Sequence, residues 1–156
     1  MEVKSSCSEN HGILQHINYV MHTTLDEVAW VTEALKGLIP AHLSEEDSYA
    51  IELGITEVLT NIVQHGYLGQ KNGLITVDWK EYINHLEISV SDMGLSIPSG
   101  LLEQEISNAF NFDVNNIQEL SESGFGLVLV KTVFDKVDYQ SVDGVNRICL
   151  GKNFPN

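Results

Sequence analysis

The sequence predicts an α+β fold, a two-layer sandwich with helices on one face of a mixed, mostly antiparallel sheet. Two observations lead to this class. Hydrophobic residues recur at helical spacing in three segments, whereas two other pairs of segments alternate apolar and polar residues as β-hairpins do. The predicted order is strand, two helices, two strands, a long irregular segment, one helix and two strands. This order is typical of helices packed on one side of a sheet.

The first half of the chain contains one strand and two helices. A strand is predicted from Leu14 to Met21, and a helix follows in "TTLDEVAWVTEALKGL", which we expect Pro40 to end. Ser44 is the predicted N-cap of a second, longer helix. Three acidic residues follow Ser44 directly, where they favour the positive end of the helix dipole.

The second half contains two hairpins around a buried helix. Apolar residues alternate with polar ones over 75–80 and 86–91, which predicts two strands joined near 83–85. The segment "FGLVLVKTVFD" predicts a buried helix. "KVDYQSVDGVNRICLG" predicts a closing hairpin with Asp143 and Gly144 at its turn.

Size and charge limit the function classes. The 156 residues suit a single domain, for which we predict a flexible tail over 1–12 and a folded unit over 13–152. The formal charge of -14 disfavours direct binding to nucleic acid or to an anionic membrane. Any bound phosphate must therefore be held by backbone amides and a metal ion, or by very few cations. Without a secretory leader or an apolar span of about 18 residues, the predicted location is cytoplasmic.

Three polar residues border the apolar stripe of the long helix. Glu57, Asn61 and His65 follow one another at four-residue spacing, beside the stripe formed by Ile51, Ile55, Val58 and Ile62. This position is suitable for the wall of a pocket. Taken alone, it equally describes polar residues that meet water at the edge of a core.

Two further features occur in a fixed order after this helix. Asp92 has the inward parity of its strand, so its carboxylate needs a partner; the alternative is an aspartate that caps a turn before Gly94. Gly124 and Gly126 precede the buried helix, where backbone amides could bind an anion. The alternative for these glycines is a tight turn packed against the sheet.

Together, the segments "ITEVLTNIVQHGY", "ISVSDMGLSIP" and "SESGFGLVLVKTVFDKVDY" resemble the N, G1 and G2 boxes of the Bergerat-fold, or histidine kinase-like, ATPases. The resemblance extends from about Leu14 to Leu150 and is greatest to the bacterial anti-sigma factor serine/threonine kinases. It implies ATP and Mg²⁺ as cofactors. It also implies that the interval from 95 to 122 is a lid over the nucleotide.

The resemblance assigns roles to individual residues. Asn61 would hold Mg²⁺, and Glu57 would be the general base that accepts the proton of a substrate serine. Asp92 would accept a hydrogen bond from the adenine amino group, and Gly94 would let the base approach the backbone. His65 either faces the nucleotide or packs structurally. The predicted phosphate-binding residues are Ser123, Gly124, Gly126 and Leu127.

The sequence departs from the family at two positions. Ser96 replaces a second glycine of the G1 box, and Glu122 stands where active kinases commonly carry an arginine for the γ-phosphate. No lysine or arginine occurs from Glu81 through Val130, which leaves Lys131, Arg147 or a partner's side chain as substitutes. Loss of such a cation can lower phosphoryl-transfer rates by about 10³ to 10⁵.

Two functions therefore remain open. The favoured one is an ATP-dependent kinase that phosphorylates an anti-sigma-antagonist partner. The alternative is a nucleotide-dependent switch that sequesters a sigma factor or another regulator with little catalysis. A detached histidine-kinase catalytic domain is a third, weaker interpretation. Homodimer formation is left open by the resemblance.

Overall fold

The computed structural model describes residues 12–98 and 126–155. These residues form five strands, three α-helices and one π-helical segment. The strands are β1 (Ile13–His22), β2 (Leu74–Tyr82), β3 (His85–Asp92), β4 (Lys136–Val142) and β5 (Val145–Asn153). The helices are α1 (Leu25–Lys36), α2 (Glu45–Asn61) and α3 (Gly126–Val133), and the π-helical segment (Ile62–Gly66) continues α2. The predicted fold class is confirmed, and the described strands and helices occur in the predicted order.

The five strands form one sheet in the order β1-β2-β3-β5-β4. All four neighbouring pairs are antiparallel. Because β5 lies between β3 and β4, the end of β3 pairs with the start of β5, and Asp92 lies opposite Asn146. This pairing brings the predicted G1 box and the closing hairpin together.

The sheet has one helix-covered face and one open face. Side chains that alternate along β2 and β3 on the helix-covered face are almost completely buried. They pack with the inner residues of α2, and α2 in turn contacts both α1 and α3. The buried residues of β2 and β3 are Ile75, Val77, Trp79, Leu86, Ile88 and Val90. The period-two pattern therefore identified the core face correctly.

Helix α1 begins as predicted but ends earlier. Thr24 caps it, since its side-chain oxygen accepts the Glu27 N–H. The helix ends at Lys36 rather than at Pro40, so the predicted end is wrong. Gly37 has poor helix propensity and follows the last helical residue. Beyond Gly37, the N–H of Leu38 bonds to the Leu35 carbonyl three residues back, as in a tight turn.

The two other local predictions agree with the structure. Ser44 caps α2 by accepting the Asp47 N–H at 3.0 Å. Asp143 and Gly144 both have positive φ, 53° and 78°, and connect β4 to β5. Two consecutive residues of positive φ are the signature of a type I′ hairpin turn, for which Asp-Gly is a favoured pair.

Several predictions concern residues outside the described ranges. These are the tail over 1–11, most of the predicted lid (99–122), Ser123 and Gly124. Of the helices in 12–98 and 126–155, none is both long and apolar enough to cross a membrane.

Candidate functional site

Glu57, Asn61 and His65 lie along one line that runs from the core to solvent. Glu57 is buried with 9% of its surface exposed, Asn61 is half-buried and His65 is exposed. The regular α2 helix widens after Asn61, where the N–H of Tyr67 donates to the carbonyl of Ile62 five residues earlier. Such π-helical turns occur frequently at functional sites. His65 lies within this widened turn rather than packing in the core.

The structure brings Glu57, Asn61 and Gly126 together. A Cβ atom on Gly126 would overlap Glu57 Oε2 and would approach Asn61 Nδ2 to 3.1 Å. Only a glycine therefore lets the start of α3 approach these two side chains so closely. Two of the three sequence motifs thus meet at a single point in the fold.

Asp92 is 7% exposed and already has protein partners. Its Oδ1 accepts the Gly94 N–H at 2.8 Å and the Asn146 Nδ2–H at 2.9 Å. The bond from Gly94 is the turn-capping contact that the sequence offered as the alternative. Both bonds use the same oxygen, and no group in residues 12–98 or 126–155 donates a hydrogen bond to Oδ2.

Gly94 lies against the backbone of the π-helical segment. A Cβ atom at this position would be 2.7 Å from the Gly66 carbonyl oxygen. The next N–H, that of Leu95, donates to the same carbonyl at 2.8 Å. Gly94 is therefore required for the loop after β3 to close on the end of the N-box helix.

A cavity of about 510 Å³ lies between the widened turn, the loop after β3 and the start of α3. Its volume is in the range of small-molecule sites, which is about 300–1,000 Å³. Asn61, His65, Asp92 and Leu127 are the predicted site residues that line it. The rest of the described wall is mostly apolar and includes Val58, Ile62, Leu95, Ile97 and Ile148. An apolar slot with one carboxylate in its wall suits a flat heteroaromatic ring that carries a hydrogen-bond donor.

Arg147 and Lys131, which could replace the arginine missing at Glu122, lie in different parts of the fold. Arg147 is exposed on β5, and its neighbours Asn146 and Ile148 are buried on the helix-covered face. Alternation therefore directs Arg147 to the open face of the sheet, away from the cavity, so its suggested role is wrong. Lys131 is half-buried on α3, the helix whose first residues adjoin the site.

Sequence reasoning missed three residues that shape the site. Asn146 is 2% exposed and bonds to Asp92. The Tyr67 and Tyr139 hydroxyls accept the N–H groups of Met93 and Ile97, both at 2.9 Å, and so hold the loop after β3 from two sides. The sequence could have indicated Asn146, because its position in the strand alternation is that of the inward-facing Ile148 and Leu150. No sequence pattern indicated the two tyrosines, because their contacts depend on the geometry of the loop after β3.

The residues that the structure describes contain no group of three or more His, Cys, Asp or Glu side chains that could hold a metal ion. Mg²⁺ at phosphate sites commonly takes only one or two protein oxygens and completes its shell with phosphates and water. A single asparagine in the cavity wall is compatible with that kind of site.

Comparison with known proteins gives one family and several relatives. The family model for the histidine kinase-like ATPase domain matches residues 21–152. The serine-protein kinase RsbW of Listeria monocytogenes serovar 1/2a is 34% identical over 107 residues, which are 68% of this chain and 66% of that protein. The protein of the same name from Bacillus subtilis is 32% identical over 95 residues, 61% of this chain and 58% of the relative. The chain thus spans less than two thirds of the length of these relatives, 66% of the first and 58% of the second.

Proposed function

The chain belongs to the histidine kinase-like ATPase domain family, and from this premise we propose that it is an ATP-binding serine/threonine protein kinase of the anti-sigma type. One observation carries the proposal. A single cavity is bordered by a buried carboxylate, Asp92, and by the wall in which Asn61 lies beside Glu57 and Gly126. The first feature suits a nucleotide base and the second suits its phosphates.

The base would bind at Asp92. Oδ1 is occupied by two donors, so Oδ2 is the acceptor for the amino group of adenine. The apolar wall formed by residues such as Ile62, Leu95 and Ile148 would cover the faces of the ring. His65 is exposed in the same wall and would contact the nucleotide from the solvent side.

The phosphates would lie towards α3. Asn61 would hold a Mg²⁺ ion, which neutralises phosphate charge when bound. Gly126 and Leu127, at the start of α3, would contribute backbone amides, together with Ser123 and Gly124 of the same motif. Backbone donors are well suited to a chain with a net charge of -14 and few cations.

Glu57 would act as the general base. Its carboxylate lies against Gly126 and one helical turn before Asn61, so it would meet the attacking hydroxyl beside the γ-phosphate. General bases of this kind contribute about 10²- to 10⁴-fold to rate. The substrate would be a serine of an anti-sigma-antagonist protein, since the relatives named above are serine-protein kinases. We place this reaction in the cytoplasm.

The test is transfer of labelled γ-phosphate from ATP to such a partner protein. Glu57→Gln should lower the transfer rate about 10²- to 10⁴-fold while ATP affinity stays near that of wild type. Glu52→Gln is the matched control, because Glu52 lies on the same helix but pairs with Lys36 at 3.5 Å. Equal transfer by wild type and Glu57→Gln would remove Glu57 from the mechanism.

A second candidate function is supported by the charges of the predicted lid. Glu122 occupies the position of the expected arginine, and no lysine or arginine occurs from 81 through 130. A nucleotide-dependent switch that binds a sigma factor would need no such cation. It would also suit an acidic chain facing the basic surface of a DNA-binding partner. Tight ATP binding by wild type together with a transfer rate close to the background rate would favour the switch.

A further inference from the structure

Gly54 is buried in the interior of helix α2, where glycine is unfavourable relative to alanine because it has more conformational freedom to lose. A neighbouring side chain explains why a glycine stands there. A Cβ atom on Gly54 would be 2.7 Å from Cε2 of the Phe134 ring, whereas carbon atoms in ordinary contact are about 3.5–4.0 Å apart. The missing side chain therefore lets the ring pack directly on the backbone of α2.

The Phe134 ring is fixed to helix α3. The N–H of Phe134 donates to the Val130 carbonyl at 3.0 Å, so the ring extends from the last turn of this helix. The residue is 4% exposed and belongs to the core, where close packing leaves a ring little room to swing aside. The Lys152 ammonium donates to the Val133 carbonyl at 3.0 Å and so ties the same end of α3 to β5. A push on the ring is therefore transmitted to the helix.

The opposite end of α3 contacts the same side of α2. Gly54, Glu57 and Asn61 follow one another at three- and four-residue spacing, which places them along one side of the helix. Gly126, the first residue of α3, lies against Glu57 and Asn61. It is about 12 Å from the end of α3, since an α-helix rises 1.5 Å per residue. The two helices thus meet at two glycines, each of which accommodates a side chain of the other helix.

We propose that Phe134 is a positioning residue: its ring, packed on Gly54, sets where the first residues of α3 lie relative to Glu57 and Asn61. Neither Phe134 nor Gly54 belongs to the described wall of the cavity, so they act on the phosphate-binding end through the helix. Binding and transfer of a phosphoryl group depend mainly on the positions of the groups around it. The inference rests on the proposed function, in which the start of α3 binds the triphosphate.

A methyl group at position 54 should disturb this arrangement from a distance. In Gly54→Ala the ring must move by about 1 Å, from 2.7 Å to an ordinary contact distance. Because the last turn of α3 is bonded to β5, we expect the helix to tilt about that end and to displace Gly126 from Glu57 and Asn61. The backbone amides at the start of α3 would then no longer meet the phosphates, whereas the base-binding end of the cavity would be unchanged.

The experiment is calorimetric titration of the full chain with ATP in the presence of Mg²⁺ and, separately, with adenosine, which lacks phosphates. Gly54→Ala should weaken ATP binding about 10- to 100-fold, the loss expected for a hydrogen bond to a charged group. Its affinity for adenosine should stay that of wild type. In the double variant Gly54→Ala/Phe134→Leu the smaller side chain leaves room for the methyl group, so most of the ATP affinity should return. Phe134→Leu alone should cause a smaller loss for ATP, and it provides the test if Gly54→Ala does not fold.

The matched control is Gly37→Ala at the end of α1. Gly37 has a φ of -65°, and a Cβ atom there would be 3.4 Å from the Ala34 carbonyl oxygen, so alanine fits. This variant should change neither affinity. Wild-type ATP affinity in folded Gly54→Ala or Phe134→Leu, or equal losses for ATP and adenosine, would overturn the positioning role, because packing alone would alter only the stability of the fold. Absence of ATP binding by wild type would instead overturn the proposed function, and this inference with it.

Discussion

Asp78 and Asp92 lie on neighbouring strands of one sheet but on opposite faces, and their surroundings differ. On the open face, Asp78 Oδ1 contacts His16 Nε2 at 2.6 Å and Asn18 Nδ2 at 3.3 Å, while Oδ2 lies 3.5 Å from Lys80 Nζ. On the helix-covered face, Asp92 has two neutral donors, and both bind Oδ1.

The difference separates a carboxylate whose two oxygens both have protein partners from the one that we propose binds a ligand. Both oxygens of Asp78 are used by neighbouring side chains, two of which can carry positive charge. Asp92 is more deeply buried, yet within the described chain one of its oxygens has no hydrogen-bond donor. A buried carboxylate with an unused acceptor beside a cavity has the form of a ligand site. Each test can therefore compare a variant on the helix-covered face with a matched variant on the open face.

Among the variants that compare the two faces, a large effect is expected on Mg²⁺-dependent nucleotide binding. Asn61→Ala should lower ATP affinity in the presence of Mg²⁺ by about 10- to 100-fold, because it removes the proposed metal ligand. Affinity without Mg²⁺ should change little. Titration with and without Mg²⁺ measures both. Asn18 lies on the open face, and Asn18→Ala should bind ATP as wild type does. An equal loss of ATP affinity in both variants would contradict the proposed difference between the two faces.

A second pair of variants compares glycines. Gly126→Ala should lower the free energy of unfolding by about 1–3 kcal/mol, since the new methyl group would overlap Glu57 Oε2 at a crowded position. Gly151 lies on the open face, where a Cβ atom would be 3.1 Å from Lys136 Cβ. That contact is tight but less severe than the overlap at Gly126, so Gly151→Ala should cost less than Gly126→Ala. Urea denaturation measures both changes, and a larger loss at Gly151 would contradict the packing described at Gly126.

The smallest effect concerns Asp78 and depends on pH. Burial acts to raise the pKa of Asp78, but hydrogen bonds from His16 and Asn18 and attraction to His16 and Lys80 outweigh it, so the pKa lies below its ordinary value of 3.8. Its stabilising contribution is therefore present above pH 3.8 and is lost as the pH falls through the lower value of the folded state. Asp78→Asn should cost about 0–1 kcal/mol at pH 6.

The difference between Asp78→Asn and wild type should shrink towards pH 3. Urea denaturation at the two pH values checks this prediction. A cost that grows as the pH falls would show that the ionised form of Asp78 is not the stabilising one.

Local patterns were sufficient to predict the fold. The alternation in β2 and β3 identified the core face, and Ser44 and Asp143-Gly144 marked a helix start and a hairpin turn that the structure contains. The end of α1 was misplaced because Gly37 stops the helix before Pro40. Each correct prediction depended on residues close together in the chain.

The site could be predicted only in part. The order of three motifs indicated that Asn61, Asp92 and Gly126 belong to one site, since the resemblance supplied their arrangement. The pairing of Asp92 with Asn146 joins residues 54 positions apart and depends on β5 lying next to β3. The helix also widens at Ile62–Gly66, a feature that the helical periodicity of the sequence did not predict.

The most direct measurement of the central claim is ATP affinity in two aspartate variants, Asp92→Asn and Asp78→Asn. An asparagine at 92 would keep an oxygen towards Gly94 and Asn146 and turn its amide nitrogen, a donor, towards the amino group of the base. We predict that Asp92→Asn weakens ATP binding about 10- to 100-fold, the loss expected for a hydrogen bond to a charged group, and that Asp78→Asn binds as wild type does. Wild-type affinity in Asp92→Asn, or an equal loss in Asp78→Asn, would contradict the account.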